Sequence, residues 1–119
     1  MELRNSITKA QLDRLRPLPF IVEVDNTSVS PVFLGVVTTT QIVRECLIEV
    51  ISALPAGVTL TVGDDVAQGR FQAASDNIPT EEEMYSTWPN FQYSSDTSVY
   101  VYITGTITGG SARVILYLN

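Results

Sequence analysis

The chain has 119 residues, of which 45% are hydrophobic and 17% charged, enough to close one core around a single domain. Its net charge of −6 excludes general nucleic-acid binding, which needs a basic face to neutralise phosphates. One cysteine, Cys46, excludes an intrachain disulfide, and no run of about twenty apolar residues is present to cross a bilayer as a helix.

The charge is unevenly spread. Arg4, Lys9, Arg14 and Arg16 face only Glu2 and Asp13 in the first sixteen residues, a balance of +2, and the remainder carries −8. This opening stretch lacks the uninterrupted apolar core of a secretory signal, so a soluble protein without a leader is expected. Thr8 and Gln11 have capping-box spacing, and Leu12 and Leu15 fall on one helical face. Pro17 and Pro19 limit any helix there to about two turns, too short to be stable in water without a partner. Residues 1–19 therefore read as a short N-terminal arm, and residues 20–119 as one domain.

Phe20–Val24 reads as a first strand, closed by Asp25-Asn26. Val32–Thr40 reads as a second, with Phe33 and Val37 on the side opposite Leu34 and Val36. Gly35 inside it marks a bulge or a close backbone approach. The stretch from Ile42 to Leu54 fits two periods. Ile42, Val43, Cys46, Leu47, Val50, Ile51 and Leu54 make a helical stripe, while Cys46, Ile48 and Val50 alternate with Glu45 and Glu49. Pro55-Ala56-Gly57 then turns into Val58–Val62, plainly a strand. On that ground residues 44–52 are expected to be its antiparallel neighbour.

Gly63-Asp64-Asp65 ends that strand. Arg70–Ala74 is expected to be a further short strand, and Met84 and Tyr85 to begin another after Glu81-Glu82-Glu83. Trp88-Pro89-Asn90 turns the chain into Phe91–Tyr93. The end of the chain reads as a hairpin. Val99, Val101 and Ile103 alternate with Tyr100, Tyr102 and Thr104, and after Gly109-Gly110 Ala112, Val114, Leu116 and Leu118 alternate with Arg113, Ile115 and Tyr117. Short strands separated by turn residues every eight to twelve positions predict a mainly all-β fold, an antiparallel β-sandwich or jelly-roll-like domain.

Bond-making chemistry is hard to assemble from these residues. No histidine is present, which removes the commonest general base and the usual triads. Cys46 lies in an apolar stretch and reads as a small core residue. Asp64, Asp65 and Asp76 match no calcium-loop spacing and read as turn carboxylates that bond nearby amides. Glu81, Glu82 and Glu83 are adjacent, cannot all face one way, and read as a solvated face. Gly63 and Gly69 are too far apart for a phosphate loop and lack a following Lys-Ser or Lys-Thr. Trp88, Tyr85, Phe91 and Tyr93 form a run of aromatics suited to core, to a subunit interface, or to stacking a sugar or base. No enzyme and no cofactor are expected.

The run Val58-Thr59-Leu60-Thr61-Val62-Gly63-Asp64, followed by Gly69-Arg70-Phe71 and Ala73-Ala74-Ser75-Asp76, resembles small virion proteins of tailed bacteriophages. The closing stretch Thr104–Val114 resembles the Thr/Gly-rich end of the same proteins, so that the likeness spans residues 42–118. The resemblance implies a capsid decoration, or cement, protein on the outer surface of the head, made in the host cytoplasm. Its partner would be the major capsid protein, and its own assembly a homo-oligomer, a trimer in such proteins. Under that implication the arm would make the attachment, with Leu12 and Leu15 as apolar anchors and Arg14 and Arg16 as charge partners. Neither nucleic acid nor a membrane is expected as partner. Two other readings stay open: a tail or neck adaptor present in few copies, and a carbohydrate-binding module built on Trp88 and neighbouring tyrosines.

Overall fold

β-Branched and aromatic residues alternate with polar ones through most of the body, and Pro, Gly and Asn interrupt each run before it lengthens. In the computed structural model, which describes residues 18–119, that pattern yields seven strands. They are β1 (Phe20–Val24), β2 (Val32–Val37), β3 (Val43–Ser52), β4 (Thr59–Gly63), β5 (Met84–Thr87), β6 (Thr97–Thr104) and β7 (Ser111–Leu118). A single 3-10 turn, Ala74–Asp76, lies between β4 and β5. The strands form two antiparallel sheets, ordered β1-β7-β3-β5 and β2-β6-β4. The fold is the all-β sandwich expected. The helix considered around Leu12 and Leu15 lies outside the described residues.

Alternation decides which side chains meet between the sheets. Val43, Cys46, Ile48 and Val50 of β3 are buried with Ala112, Val114 and Leu116 of β7 on one side. Leu60, Val62, Val99 and Val101 of β4 and β6 face them from the other. These residues form one continuous core together with Val24, Leu34, Val37 and Phe71. The strand period thus wins over the helical stripe in residues 43–52: a helix would turn Ile48 to the same side as Glu45 and Glu49, whereas the strand buries it with Cys46 and Val50.

Pairing departs from the sequence-based expectation in three places. Strand β3 does form, but it pairs with β5 and β7, whereas β4 pairs with β6 in the opposite sheet. Pro55-Ala56-Gly57 is therefore a crossing between sheets, held by Leu54 N–H donating to Pro79 O (2.9 Å) and Val58 N–H donating to Pro55 O (3.3 Å). The expected terminal hairpin is also replaced by a crossing. Strand β6 pairs with β2 and β4, while β7 pairs with β1 and β3. Gly105 and Gly110 take positive φ, at 81° and 84°, and the stretch between them carries the chain from one sheet to the other. A two-residue turn would have kept both strands in one sheet; a longer link can span the roughly 10 Å between layers.

The third departure lies in β2. The register shifts between Phe33 and Gly35, the bulge that Gly35 signals. The extra residue puts Leu34 and Val37 inside and leaves Phe33 and Val36 exposed, reversing the expected partition of Val36 and Val37. Gly35 is also a close approach, for a Cβ there would stand 2.7 Å from the Phe20 ring.

The stretch from Asp64 to Asn77 closes the side of the sandwich between β4 and β5. Arg70–Ala74 is not the strand expected; a lone bridge, Val62 to Gln72, is what forms. Phe71 and Gln72 both donate their N–H to Val62 O, at 2.9 and 3.2 Å. The buried Gln72 side chain donates from Nε2 to Cys46 O (3.2 Å) and Tyr85 O (3.1 Å), so it ties this segment to the other sheet. Asn77 Nδ2 donates to Gln72 Oε1 (3.0 Å) and Leu60 O (3.1 Å). The segment thus bonds to both sheets through side-chain amides.

Candidate functional site

Asp64 follows directly on β4 and is 1% exposed, unusual for a carboxylate. Arg70 Nε donates to its Oδ2 at 2.6 Å and Arg70 Nη2 to its Oδ1 at 3.3 Å. The Tyr93 hydroxyl donates to Oδ2, and the N–H groups of Val66 (3.0 Å) and Ala67 (2.8 Å) donate to Oδ1. Burial works to raise this carboxyl, but the bonds from Arg70, Tyr93 and Ala67 outweigh it and hold the group down at about 2. Burial and the Asp64 carboxylate push the Tyr93 hydroxyl up. The Arg70 guanidinium lies 4.7 Å over the Phe91 ring, and Phe71, Phe91 and Tyr93 pack edge to face beneath it.

This centre is chemically saturated. Asp64 has its oxygens taken by five donors, two of them from Arg70, so the carboxylate itself is fully engaged. Its work is to pin the 64–70 loop and the 91–93 segment to the end of β4. Gly63 serves the same end, since a Cβ there would stand 2.2 Å from Ala67 O.

The remaining residues weighed from sequence are dispersed. Cys46 is fully buried, and burial followed by the Glu45 charge pushes its thiol up to about 12, far from nucleophilic. Asp76 accepts from Ala73 N–H at 2.9 Å in the 3-10 turn, as a turn carboxylate does. Glu82 reaches Ala53 N–H at 3.3 Å. Among the described residues no three His, Cys, Asp or Glu side chains gather where they could hold a metal ion. The aromatic run separates: Phe91 and Tyr93 join Phe71, the Tyr85 hydroxyl donates to Ile78 O (3.0 Å), and Trp88 stands exposed. A cavity of about 190 Å³ lies between the β1–β2 turn and the β6–β7 crossing. The serine hydroxyls on its wall, Ser28 and Ser30, already accept from Asp25 and Ile103 N–H.

Leu12, Arg14, Leu15 and Arg16, the expected attachment residues, lie outside the described residues. The surface that sequence reasoning missed is the outer face of β2-β6-β4. Register places Phe33 opposite Tyr100, Val36 opposite Ser98, Thr61 opposite Tyr102 and Thr59 opposite Thr104. No charged residue stands on it. Phe33 is 53% exposed and Val36 45%. Rings of Phe33 and Tyr100 are 5.7 Å apart at 63°, and those of Tyr100 and Tyr102 5.9 Å apart at 55°. Such tilted rings make a ridged surface suited to interdigitating side chains and offer no flat platform for a sugar face. Two sequence signals bear on this face: the alternation of Tyr100 and Tyr102 with the buried Val99 and Val101, and Gly35, whose bulge turns Phe33 and Val36 outward together.

The opposite sheet presents a different face. Glu23, Arg113 and Glu49 align across β1, β7 and β3, with Arg113 at 3.8 Å from Glu23 and 3.5 Å from Glu49. Arg44 Nη1 donates to Asn90 Oδ1 at 3.1 Å. Each of the three arginines in the described residues thus has partners.

No family model matches the chain, and no curated protein matches it. Among solved structures it is similar to a chain of the cyanophage Pam1 capsid asymmetric unit, with a TM-score of 0.57 and 16% sequence identity. The match covers 82% of this chain and 79% of that chain, so the two are of nearly equal length. At that identity what the two are shown to share is the fold.

Proposed function

We propose that this protein is a non-enzymatic structural component of a phage capsid, a decoration (cement) protein that binds the outside of the head and stabilises it. The observation that carries the reading is the likeness, over four-fifths of both chains, to a chain of a cyanophage capsid asymmetric unit. The saturated Asp64 centre and the inert, buried Cys46 agree with a role that involves no bond-making. An acidic body keeps a densely displayed protein soluble. The partner is the major capsid protein, and the protein acts as a homo-oligomer, a trimer by the resemblance of its sequence.

The mechanism is mechanical. A protein that binds the assembled shell and not its dissociated parts stabilises the shell by mass action. Repetition over a symmetric lattice lets modest interfaces act together. The arm, residues 1–19, is the attachment element, with Leu12 and Leu15 as anchors and Arg14 and Arg16 as charge partners, and it adds contacts to the shell or to a sister subunit.

Co-sedimentation of the purified protein with phage heads lacking it, with copies counted by quantitative mass spectrometry, tests this reading. Occupancy near the number of capsomers is expected, with loss of occupancy on deleting residues 2–16. Binding at about a dozen copies or fewer would move the protein to the neck or tail. Absence of binding would remove the virion reading altogether and direct attention to glycans and the exposed Trp88.

A further inference from the structure

The outer face of β2-β6-β4 joins two features that seldom coincide on a monomer's surface. It is an uncharged patch centred on Phe33, Tyr100 and Tyr102, on a protein whose described residues carry eleven acids and three arginines. Its border is acidic. Asp96, exposed, immediately precedes β6, and exposed Asp65 follows β4 close enough to help raise the Tyr102 hydroxyl pKa after burial. An apolar centre with an acidic border selects a partner segment that presents apolar anchors flanked by cations.

A second copy's sandwich cannot supply that chemistry. Its three arginines are engaged with Asp64, with Glu23 and Glu49, and with Asn90, and the rest of its charge is negative. The chain's other cations, Arg4, Lys9, Arg14 and Arg16, all lie in residues 1–17, beside Leu12 and Leu15. Seventeen residues reach about 55 Å when extended, ample to cross to a neighbouring subunit. Pro17 and Pro19 flank Leu18 in sequence, Leu18 is 70% exposed at the start of the body, and a residue that precedes proline favours extended backbone. We propose that residues 1–17 of one copy dock on the β2-β6-β4 face of a second copy, Leu12 and Leu15 seating against Phe33, Tyr100 and Tyr102 while Arg14 and Arg16 meet the Asp65 and Asp96 border.

The proposal deepens, and rests on, the reading of the arm as the attachment element, and it names the surface that receives it. Disulfide capture between full-length chains tests it, because Cys46 is buried and does not compete. Gln11→Cys on one tagged chain is mixed under mild oxidation with Thr61→Cys on a second, differently tagged chain. The control partner is Ser86→Cys, on the outer face of the other sheet. Mixed-tag dimer is expected at about tenfold or more over the control, as the raised effective concentration of a docked segment requires. Adding Phe33→Asp to the receiving chain is expected to bring the yield down to the control. Equal yields for the two pairings would overturn the proposal. So would an intrachain disulfide at high dilution in a chain carrying both cysteines, since the segment would then cover its own sheet. Head occupancy is read separately: heads filled without preferential capture refute this contact alone, and capture without occupancy refutes the virion reading alone.

Discussion

Replacing Asp64 by Asn is the sharpest perturbation of the scaffold. Asn matches the neutral acid in shape, so the substitution acts as a fixed protonation of the carboxyl. The carboxyl moves from 3.8 in the open chain to about 2 when folded. That difference corresponds to about 2–3 kcal/mol of stability at neutral pH. Because the folded value is the lower one, the contribution is complete above about pH 5 and is lost as pH falls through 2. Linkage leaves roughly half of it at pH 3 and only a small remainder at pH 2. Urea unfolding of both proteins, followed by far-UV circular dichroism at pH 7, 3 and 2, measures the gap directly. The variant is expected to be about 2–3 kcal/mol less stable at pH 7, with a melting point lower by about 10 °C. The gap should close as the wild type is protonated. A gap under 1 kcal/mol at pH 7, or one that persists unchanged to pH 2, would refute the argument that ionised Asp64 holds the loop.

Gly63→Ala is expected to cost about 3 kcal/mol or more, because the new methyl meets the Ala67 carbonyl backbone, which cannot swing aside; thermal unfolding checks it, and a loss under 1 kcal/mol would mean that the loop moves freely. Gln72→Leu removes the side-chain donor from Cys46 O and Tyr85 O and one acceptor from Asn77 Nδ2, an expected loss of about 2–4 kcal/mol by urea unfolding. Amide exchange in β5 should rise with it, and unchanged exchange there would contradict the bridging role. Cys46 is expected to resist a thiol reagent in the native protein at pH 8 and to react fully in denaturant, and rapid native labelling would contradict its burial.

Attachment of the 64–77 segment explains why the Asp64 centre was hard to foresee. Asp64 and Arg70 stand six residues apart and fall within one motif, so their proximity was readable in outline. Tyr93 comes from 29 residues away and Gln72 reaches β3 and β5 from outside any strand, so neither contact leaves a local signature. Aromatic clustering misled in the same way. Tyr85, Trp88, Phe91 and Tyr93 are near in sequence, yet Phe91 and Tyr93 pack on Phe71 while Trp88 remains in solvent.

Most strand positions and core faces came from the sequence itself, the exceptions being Arg70–Ala74, which forms only a lone bridge, and the partition of Val36 and Val37. Period-two alternation is a property of each segment alone, and Cys46, Ile48 and Val50, like Ala112, Val114 and Leu116, turn inward just as their spacing requires. The lack of histidine and the acidic body were equally local facts. Strand partners were decided only by the tertiary structure. Chain neighbours β3 and β4, and again β6 and β7, lie in opposite sheets, because burying two apolar faces against each other outweighs the local preference for a hairpin. The outer aromatic face belongs to the same level of decision. One extra residue at Gly35 shifts the phase of β2, and that shift, set by pairing with β6, turns Phe33 and Val36 together toward solvent.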